Sequence, residues 1–418
     1  MEPSNQYTNT KVQPKDFTSG WLIALIIAGT GLSLPTLYLG SEIALNLGLK
    51  NALVAFGIAT LVLTLMCMAT TVIGNRSRLS TYMILHFSFG ENGAKVVNTI
   101  FGITLIGWFS VALELLAIAI KDAAFDAFEI TISKWAIIIL ASLFITITTI
   151  FGIKSLEKLA NIVIPILTLF LGFVVYKSIG ELESLQKLFH NHNQDSNMTL
   201  FDATSILVGS AILFPVLMAD FSRFIKNDRH SLIAVLGITI GFPVALTFSA
   251  IPSLQTGEVD IIKIMREINL VIPAIILLFI STWVTNATNL YSAVLTFSTI
   301  KQKWSFKKMS IVASIIGTTL SILGFSDYLF EFLEFLGILA PSISTIYIIN
   351  FFWVKKQEYL LKDITKWESS ALISWILSST IALLTYLEIF QLTGAYFVDS
   401  FILGGLFYFI YKRKEILK

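Results

Sequence analysis

Hydrophobic and polar positions alternate along the chain in long blocks, in which apolar runs are separated by short polar segments. About 20 apolar residues are enough for an α-helix to cross the hydrocarbon core of a bilayer. The blocks extend almost from end to end, so no polar stretch is long enough for a separate soluble domain. The pattern predicts twelve membrane spans, near residues 20–47, 51–74, 95–120, 135–152, 156–179, 200–224, 231–253, 272–298, 309–325, 328–353, 368–390 and 395–411.

Composition agrees with a membrane protein. Only 13% of the 418 residues are charged and the mean hydropathy is +0.79, whereas soluble domains contain about 25% charged residues. The single cysteine, Cys67, excludes a disulfide framework and a cysteine-based metal site. A net charge of +2 gives no reason to expect a nucleic-acid partner. The polar first 18 residues lack the pattern of a cleaved signal peptide, so the first span is expected to direct insertion.

The distribution of basic residues predicts the orientation in the membrane. Twelve spans place both termini on one side, and most Lys and Arg residues fall in the loops of that side. The opposite side has only seven, namely Lys50, Lys121, Lys134, Lys177, Lys187, Lys263 and Arg266. Because cytoplasmic loops are enriched in basic residues, both termini are expected to lie in the cytoplasm. The expected location of the protein is the plasma membrane or inner membrane of the cell.

Two of the predicted spans contain a similar interruption. The first span reads GTGLSLP at 29–35 and the sixth reads GSAILFP at 209–215, so each sets a glycine six positions before a proline. Glycine weakens a helix, and proline removes a backbone hydrogen bond. The two spans cross the membrane in opposite directions, because five spans precede the sixth. Paired interruptions of this kind are typical of the midplane binding site of a transporter with inverted repeats.

Four segments then show a resemblance to a known family. RLSTYMILHFSFG (78–90), IGWF (106–109), VGSAILFPVLMADFSRF (208–224) and STWVTNATNLYSAV (281–294) are similar to segments of the nucleobase–cation symporters. The cytosine permease branch is the most similar, and the hydantoin permeases are related to it. The resemblance runs from the first span to the last.

The resemblance implies an all-α membrane protein with the leucine-transporter-type fold. In this fold two inverted repeats of five helices surround the substrate, the first and sixth helices are broken, and two further helices follow. The expected organisation is a cytoplasmic tail, a first repeat, an extracellular connector, a second repeat, and a last part with helices 11 and 12 and a cytoplasmic tail. Their expected ranges are 1–18, 19–180, 181–199, 200–354 and 355–418.

The resemblance also implies a substrate site around Trp108, whose ring would stack on a planar heterocycle. Stacking of a base on an aromatic side chain contributes about 1–3 kcal/mol. Ser33 and Ser210 are expected to add hydroxyl groups beside the backbone groups released by the two interruptions. Three further positions of the site depart from the cytosine permeases, because polar or aromatic residues of the family are replaced by Leu105, Ala211 and Leu213.

These departures predict a more apolar pocket than that of the cytosine permeases. Buried polar groups of a binding site discriminate about 10⁴–10⁵-fold against ligands that leave them unpaired, and apolar contacts discriminate far less. The substrate is therefore expected to be cytosine or another planar heterocycle, with a ring vitamin as an alternative. Pro35 and Pro215 are also departures from the cytosine permeases.

A coupling ion, Na+ or H+, is expected beside the broken first helix. By position in the family, the Na+ ligands are the carbonyl groups of Gly29, Leu32 and Ser281 and the hydroxyl group of Thr285. Val284 replaces the second hydroxyl-bearing residue of the family. Oxygen ligands of this kind suit a hard cation, although four of them would bind it weakly.

Three charged residues within the spans are candidates for other roles. Glu114 lies in the outer half of the third span, where a carboxylate is costly, and it is either a proton-coupling site or a carboxylate that is paired with a neighbour or faces water. Asp220 and Arg223 end the sixth span and are expected to form part of the inner gate.

The sequence therefore predicts a secondary active transporter, active as a monomer, that imports a heterocycle with a cation by alternating access. An amino-acid transporter of the same fold is an alternative. An enzyme is not expected, because no HExxH, GxSxG or paired aspartates occur within the spans.

Overall fold

The computed structural model describes residues 11–151, 154–179, 188, 196–267, 269–300 and 304–417. Regular structure in these ranges is helical, and an isolated parallel β-bridge joins Thr18 to Ile225. A short 3₁₀ turn, Phe325–Tyr328, precedes α13. In chain order the α-helices are α1 (Gly20–Gly31), α2 (Leu34–Ser77), α3 (Thr81–Phe128), α4 (Lys134–Phe151), α5 (Lys154–Ile179), α6 (Leu200–Ala211), α7 (Leu213–Ser222), α8 (Asp228–Leu236), α9 (Phe242–Thr256), α10 (Ile261–Glu267), α11 (Val271–Ile300), α12 (Phe306–Ile322), α13 (Leu329–Ile349), α14 (Ser369–Tyr386) and α15 (Tyr396–Ile416).

Many of these helices are long and apolar. Within the described ranges, eight helical segments are long and apolar enough to cross a membrane, namely Leu34–Ser77, Thr81–Asp126, Ile162–Ile179, Leu200–Ser222, Asp228–Thr256, Val271–Ser298, Phe325–Val354 and Ser369–Tyr386. Gly20–Gly31 and Lys134–Ile150 are shorter apolar helices. The total of twelve spans stays a prediction. Most of the predicted connector 181–199 lies outside the described residues.

Glycine kinks divide the two longest helices. Gly48 in α2 has a φ of 74° and Gly90 in α3 has a φ of 77°, a backbone conformation that residues with a side chain rarely adopt. Gly48 lies at the boundary that the apolar pattern places between the first two spans. The first predicted span therefore consists of α1 and the part of α2 before this kink.

The two predicted interruptions differ in width. After α1, Leu32 (φ −84°, ψ 52°) and Ser33 (φ −109°, ψ 158°) are both non-helical. Between α6 and α7 only Ile212 intervenes, and its φ of −60° and ψ of −28° are those of a right-handed helix. The sixth span is thus less interrupted than expected. Pro215 falls in the first turn of α7, where a helix N–H has no intrahelical partner in any case.

The glycines of the two interruptions lie close to neighbouring helices. A Cβ atom on Gly209 would lie 2.0 Å from the carbonyl oxygen of Leu333 in α13, and one on Gly29 would lie 1.9 Å from Cδ1 of Ile164 in α5. Neither glycine has a positive φ. Position 209 therefore requires glycine because the backbone of α13 approaches it, whereas at position 29 the neighbouring atom is the end of a side chain that can move. The weakening of the two helices by glycine stays a prediction.

The segment before α1, which we name the N-terminal strap (residues 12–18), lies across the ends of other helices. The N–H of Val12 donates to the carbonyl of Arg78 at 3.2 Å, and that of Thr18 donates to the carbonyl of Phe224 at 2.7 Å. Arg78 follows α2 and Phe224 follows α7. We call the side of the molecule that carries the strap the N-terminal face.

The start of α1 is also fixed to α8. The N–H of Gly20 donates to Nδ1 of His230 at 3.0 Å, which satisfies one of the free donors at the helix start. The guanidinium of Arg78 lies 4.0 Å from the ring centroid of Phe17. Four helices, α1, α2, α7 and α8, are therefore joined to each other at the N-terminal face.

Candidate functional site

A cavity of about 410 Å³ lies between α1, α3, α5, α7 and α11. It extends from Asp16 and Thr18 in the N-terminal strap to Gly29 and Ser281, which lie beside the interruption between α1 and α2. The cavity therefore reaches from the N-terminal face to the broken end of the first span.

The end of this cavity that is farthest from the N-terminal face we call its inner end. Four of the five predicted ion-binding residues line it, namely Gly29, Ser281, Val284 and Thr285. The fifth, Leu32, is adjacent, because its carbonyl accepts a hydrogen bond from the Ser281 hydroxyl at 2.8 Å. This bond joins α11 to the broken end of α1. Ser281 thus contributes a hydroxyl that holds Leu32 in place, in addition to the carbonyl that the family resemblance implies as a ligand.

Two threonines of α11 that line the cavity, Thr285 and Thr288, differ in their hydrogen bonds. The side chain of Thr285 is only 8% exposed, and in the described part of the chain its Oγ1 has no hydrogen-bond partner. Thr288, by contrast, donates to the carbonyl of Val284 in its own helix at 2.9 Å. The Thr285 hydroxyl is thus available to a ligand in the cavity, as the family resemblance implies.

The six predicted substrate-binding residues do not line this cavity. Trp108 is half-buried in α3, and its ring meets Phe332 of α13 edge to face at 5.6 Å between centroids. The carbonyl of Leu333, the residue after Phe332 in α13, packs against Gly209. Trp108 and the sixth span therefore meet around one turn of α13, and the remaining predicted apolar members, Leu105, Ala211 and Leu213, are buried.

The two predicted substrate-site serines make local hydrogen bonds. The Ser33 hydroxyl lies 3.2 Å from the Thr36 hydroxyl, and the Ser210 hydroxyl donates to the carbonyl of Leu207 at 2.8 Å. A hydroxyl that donates one bond still has oxygen lone pairs that can accept another. Both side chains keep acceptor capacity for a ligand near Trp108.

Glu114 lies on the opposite side of the molecule from the N-terminal face and is 1% exposed. Its Oε1 accepts from Nζ of Lys134 at 3.0 Å, and its Oε2 accepts from the N–H of Ser326 at 2.8 Å. Glu114 thus connects α3 to the start of α4 and to the 3₁₀ turn before α13. The carboxylate is thus paired with a neighbour, and proton coupling through Glu114 stays a prediction.

Asp220 and Arg223 line the cavity near the N-terminal face. Oδ1 of Asp220 accepts from the N–H of Thr81 at 2.9 Å, which joins the end of α7 to the start of α3. Nε of Arg223 donates to the carbonyl of Asp220 at 3.1 Å, and its guanidinium lies 4.9 Å from the ring centroid of Phe224. The two predicted gate residues are therefore at the place where the cavity approaches solvent.

Sequence reasoning missed three polar residues around these sites. Asn286 donates to the carbonyl of Phe109 at 3.1 Å and so links α11 to α3 beside Trp108. Asn98 and Ser292 line the cavity. In the sequence these three residues stand out only as polar residues within apolar spans. Many other positions have the same property, so it did not identify them.

Comparison with known proteins identifies the family. Residues 12–400 match the sequence profile of the family described as permeases for cytosine/purines, uracil, thiamine and allantoin. The cytosine permease of Escherichia coli K12 is 27% identical over 356 residues, which cover 84% of this chain and 82% of the permease.

Solved structures match over almost the whole chain. Mhp1, a nucleobase-cation-symport-1 family transporter, matches in a closed conformation with bound bromovinylhydantoin at a TM-score of 0.83 and 17% identity, over 99% of this chain and 96% of that one. Its inward-facing conformation gives a TM-score of 0.80, at 17% identity over 98% and 95% of the two chains. A Na+-coupled sialic acid symporter gives 0.69, at 14% identity over 98% and 91%.

These likenesses confirm the predicted fold, since this chain has the helical architecture of the Mhp1 transporter. The family consists of permeases, which confirms a transporter rather than an enzyme. With the profile match covering all but the two ends of the sequence, the chain belongs to the family of permeases for cytosine/purines, uracil, thiamine and allantoin.

Proposed function

We propose that this protein carries a nucleobase or a related planar heterocycle across the membrane together with a cation, by alternating access. The observation that carries this proposal is the unpartnered Thr285 hydroxyl at the inner end of the cavity, beside the interruption that follows α1. The predicted cation ligands thus lie where the cavity meets the broken end of the first span, which supports the proposal.

The cation is Na+ in this proposal. The carbonyls of Gly29, Leu32 and Ser281 and the hydroxyl of Thr285 supply oxygen atoms, the ligands that hard cations prefer. Val284 supplies none, so weak binding is expected. Glu114 does not line the cavity and already accepts two hydrogen bonds, which favours Na+ at Thr285 over H+ at Glu114.

The substrate binds between the Trp108 ring and the sixth span. The neighbouring side chains of Leu105, Ala211 and Leu213 are apolar, so the protein recognises the flat ring by stacking and its polar edge by backbone groups and the two serine hydroxyls. The matched relatives support this class, because one is named for cytosine and another binds a hydantoin.

The N-terminal face is cytoplasmic in this proposal, as the excess of basic residues in the loops of that side indicates. The cavity then opens toward the cytoplasm, and the monomer imports its substrate. One monovalent cation that moves down 100 mV provides about 2.3 kcal/mol, which supports about 50-fold accumulation per positive charge moved.

The test is uptake into proteoliposomes that contain the purified protein. Labelled cytosine, uracil, hydantoin, thiamine and an amino-acid mixture are supplied with an inward Na+ gradient or with an inward H+ gradient, both at an inside-negative potential. We expect saturable uptake of one heterocycle that requires Na+. Uptake driven by acid without Na+ would contradict the cation assignment, and uptake of amino acids alone would contradict the substrate class.

A further inference from the structure

The part of the cavity nearer the N-terminal face contains a polar side chain that the proposed substrate and cation sites do not use. Asn98 of α3 lines the cavity and is 2% exposed. Its Nδ2 donates to the carbonyl of Ala94 at 2.7 Å. The amide oxygen, Oδ1, is therefore the atom left to bind a ligand. Oδ1 has no partner among the described residues, although an unpaired buried acceptor is costly.

Ser292 of α11 is a second such group. It lines the same cavity, and in the described ranges its hydroxyl has no hydrogen-bond partner. Ser292 lies seven residues after Thr285, which corresponds to two helical turns and about 10 Å along the axis. A ligand at Ser292 is therefore distinct from a cation at Thr285.

The positions of Asn98 and Ser292 follow from the packing of α3 on α11. The two helices are antiparallel, because Asn286 donates to the carbonyl of Phe109 while Phe297 packs on Gly102. Asn98 lies one turn beyond Gly102, toward the N-terminal face. Both free groups thus lie between the cation site and the N-terminal face.

Aromatic rings form part of the remaining wall in this half. Tyr82, Phe221 and Tyr291 line the cavity near Asp220 and Arg223. Flat aromatic walls with a few polar groups suit an organic ring, since rings stack on aromatic faces. A hard cation would instead need several oxygen atoms directed at one point.

We propose that this half of the cavity is a second binding site, which accepts a planar heterocycle with a ring N–H next to a carbonyl group. Oδ1 of Asn98 accepts the ring N–H, and the Ser292 hydroxyl donates to the carbonyl. We name this the transit site, and define it by Asn98, Ser292, Tyr82, Phe221 and Tyr291. The class of ligand rests on the proposed function, whereas the location rests on the cavity alone.

The transit site is a second position at which the substrate binds after it leaves Trp108. Its two hydrogen bonds and one stacking contact are open to water on one side, so millimolar affinity is expected. Because it lies about 10 Å from Thr285, occupancy of the transit site does not require Na+.

Cysteine labelling tests the proposal in the full-length protein. Cys67 is the sole cysteine of the sequence and is buried, so Leu295→Cys, at a cavity-lining position, introduces one accessible thiol. The rate of its reaction with a small methanethiosulfonate reagent is measured alone and with about 10 mM hydantoin, cytosine or 1,3-dimethylhydantoin. We expect hydantoin or cytosine to slow labelling about threefold or more, and the dimethyl compound, which lacks an N–H, to have no such effect.

Variants of this labelled protein assign the protection to Asn98. Asn98→Leu is expected to remove it, and Asn98→Asp, which retains an acceptor, is expected to keep it. Thr99→Val is the matched control, because the Thr99 hydroxyl donates to the carbonyl of Lys95 at 2.8 Å and does not line the cavity. Trp108→Ala is expected to retain the protection, which separates failure of the transit site from failure of the proposed substrate site.

Three results would overturn the proposal. The first is labelling at one rate with and without hydantoin and cytosine. The second is protection that persists in Asn98→Leu while the labelling rate without ligand equals that of the parent. The third is protection by NaCl alone that Asn98→Leu removes, which would assign the site to a cation.

Discussion

Buried polar groups at the two ends of the molecule differ in whether they have hydrogen-bond partners. Toward the N-terminal face, the cavity is lined by Thr285, Asn98 and Ser292, each with an oxygen atom that has no partner in the described part of the chain. At the other end, both carboxylate oxygens of Glu114 are bound, and Phe332 covers an edge of Trp108.

This difference shows how the two ends are closed or kept open. A buried charge is stable only with partners that compensate for lost hydration, and Glu114 has them from two separate elements. The closed end therefore combines a paired charge with packed aromatic rings. We expect access from that end to require the turn Phe325–Tyr328 to separate from Glu114, whereas the cavity already extends to the N-terminal strap. Four substitutions test this comparison.

The largest effect is expected at the closed end, for Trp108→Ala. Loss of a stacking contact of about 1–3 kcal/mol lowers saturable uptake about 10-fold or more, while Trp108→Phe retains part of it. Uptake into proteoliposomes, normalised to the amount of inserted protein, measures the change. Trp135→Ala is the control, because that tryptophan is 61% exposed on the surface of α4. Normal uptake by Trp108→Ala would rule out the stacking role.

A smaller effect is expected for Glu114→Gln. Glutamine can still accept from the N–H of Ser326 but loses the ion pair with Lys134, which is worth about 1 kcal/mol for a partly exposed partner. The closed end should open about fivefold more often. The readout is the labelling rate of Ser210→Cys by an impermeant thiol reagent added on that side.

Glu91→Gln is the matched control for this measurement, since the Glu91–Lys95 ion pair at 2.8 Å is exposed and remote from the turn. Equal labelling rates in Glu114→Gln and the parent would show that Glu114 does not hold the closed end.

Thr285→Val tests the inner end of the open cavity. Valine keeps the shape of threonine and removes one of four predicted oxygen ligands, so the Na+ concentration for half-maximal uptake should rise about fivefold. Thr285→Ser should restore it. Thr288→Val, which removes a hydroxyl bound to its own helix, should leave the Na+ dependence unchanged. An unaltered Na+ dependence in Thr285→Val would exclude this residue as a ligand.

The smallest effect is expected for Pro35→Ala, at the border between the two ends. Pro35 lies in the first turn of α2, where its missing N–H has no intrahelical partner to lose. Its replacement should change the unfolding temperature little and uptake by less than about twofold. A strong loss of uptake in Pro35→Ala would show that proline maintains the interruption.

Gly209→Ala should instead lower stability strongly, because the added Cβ would overlap the carbonyl of Leu333.

Much of the fold was predictable because it depends on local properties of the sequence. Apolar runs of sufficient length predict membrane helices, and Gly48 lies where the pattern separates the first two spans. The predicted cation ligands Ser281 and Thr285 lie in the family segment 281–294, and the cavity reaches both of them. Gly29 and Gly209 were recognised from the pattern of the two interruptions, but the close approach of the α13 backbone to Gly209 was not.

The remaining features depend on contacts between distant parts of the chain. Glu114 and Ser326 are separated by 212 residues, so the sequence showed a buried carboxylate without showing its partner. Asn98 became a candidate only when the cavity placed it beside α11. Ile212 keeps a right-handed helical backbone between α6 and α7. This conformation depends on packing, and a glycine–proline pattern does not predict it.

The N-terminal strap limits how the N-terminal face can move. It attaches the start of α1 to the ends of α2 and α7, while His230 of α8 accepts from Gly20. A tilt of one of these four helices must either break those bonds or carry the other three along as a unit. An antibody fragment that immobilises the strap would therefore arrest all four helices from a single epitope.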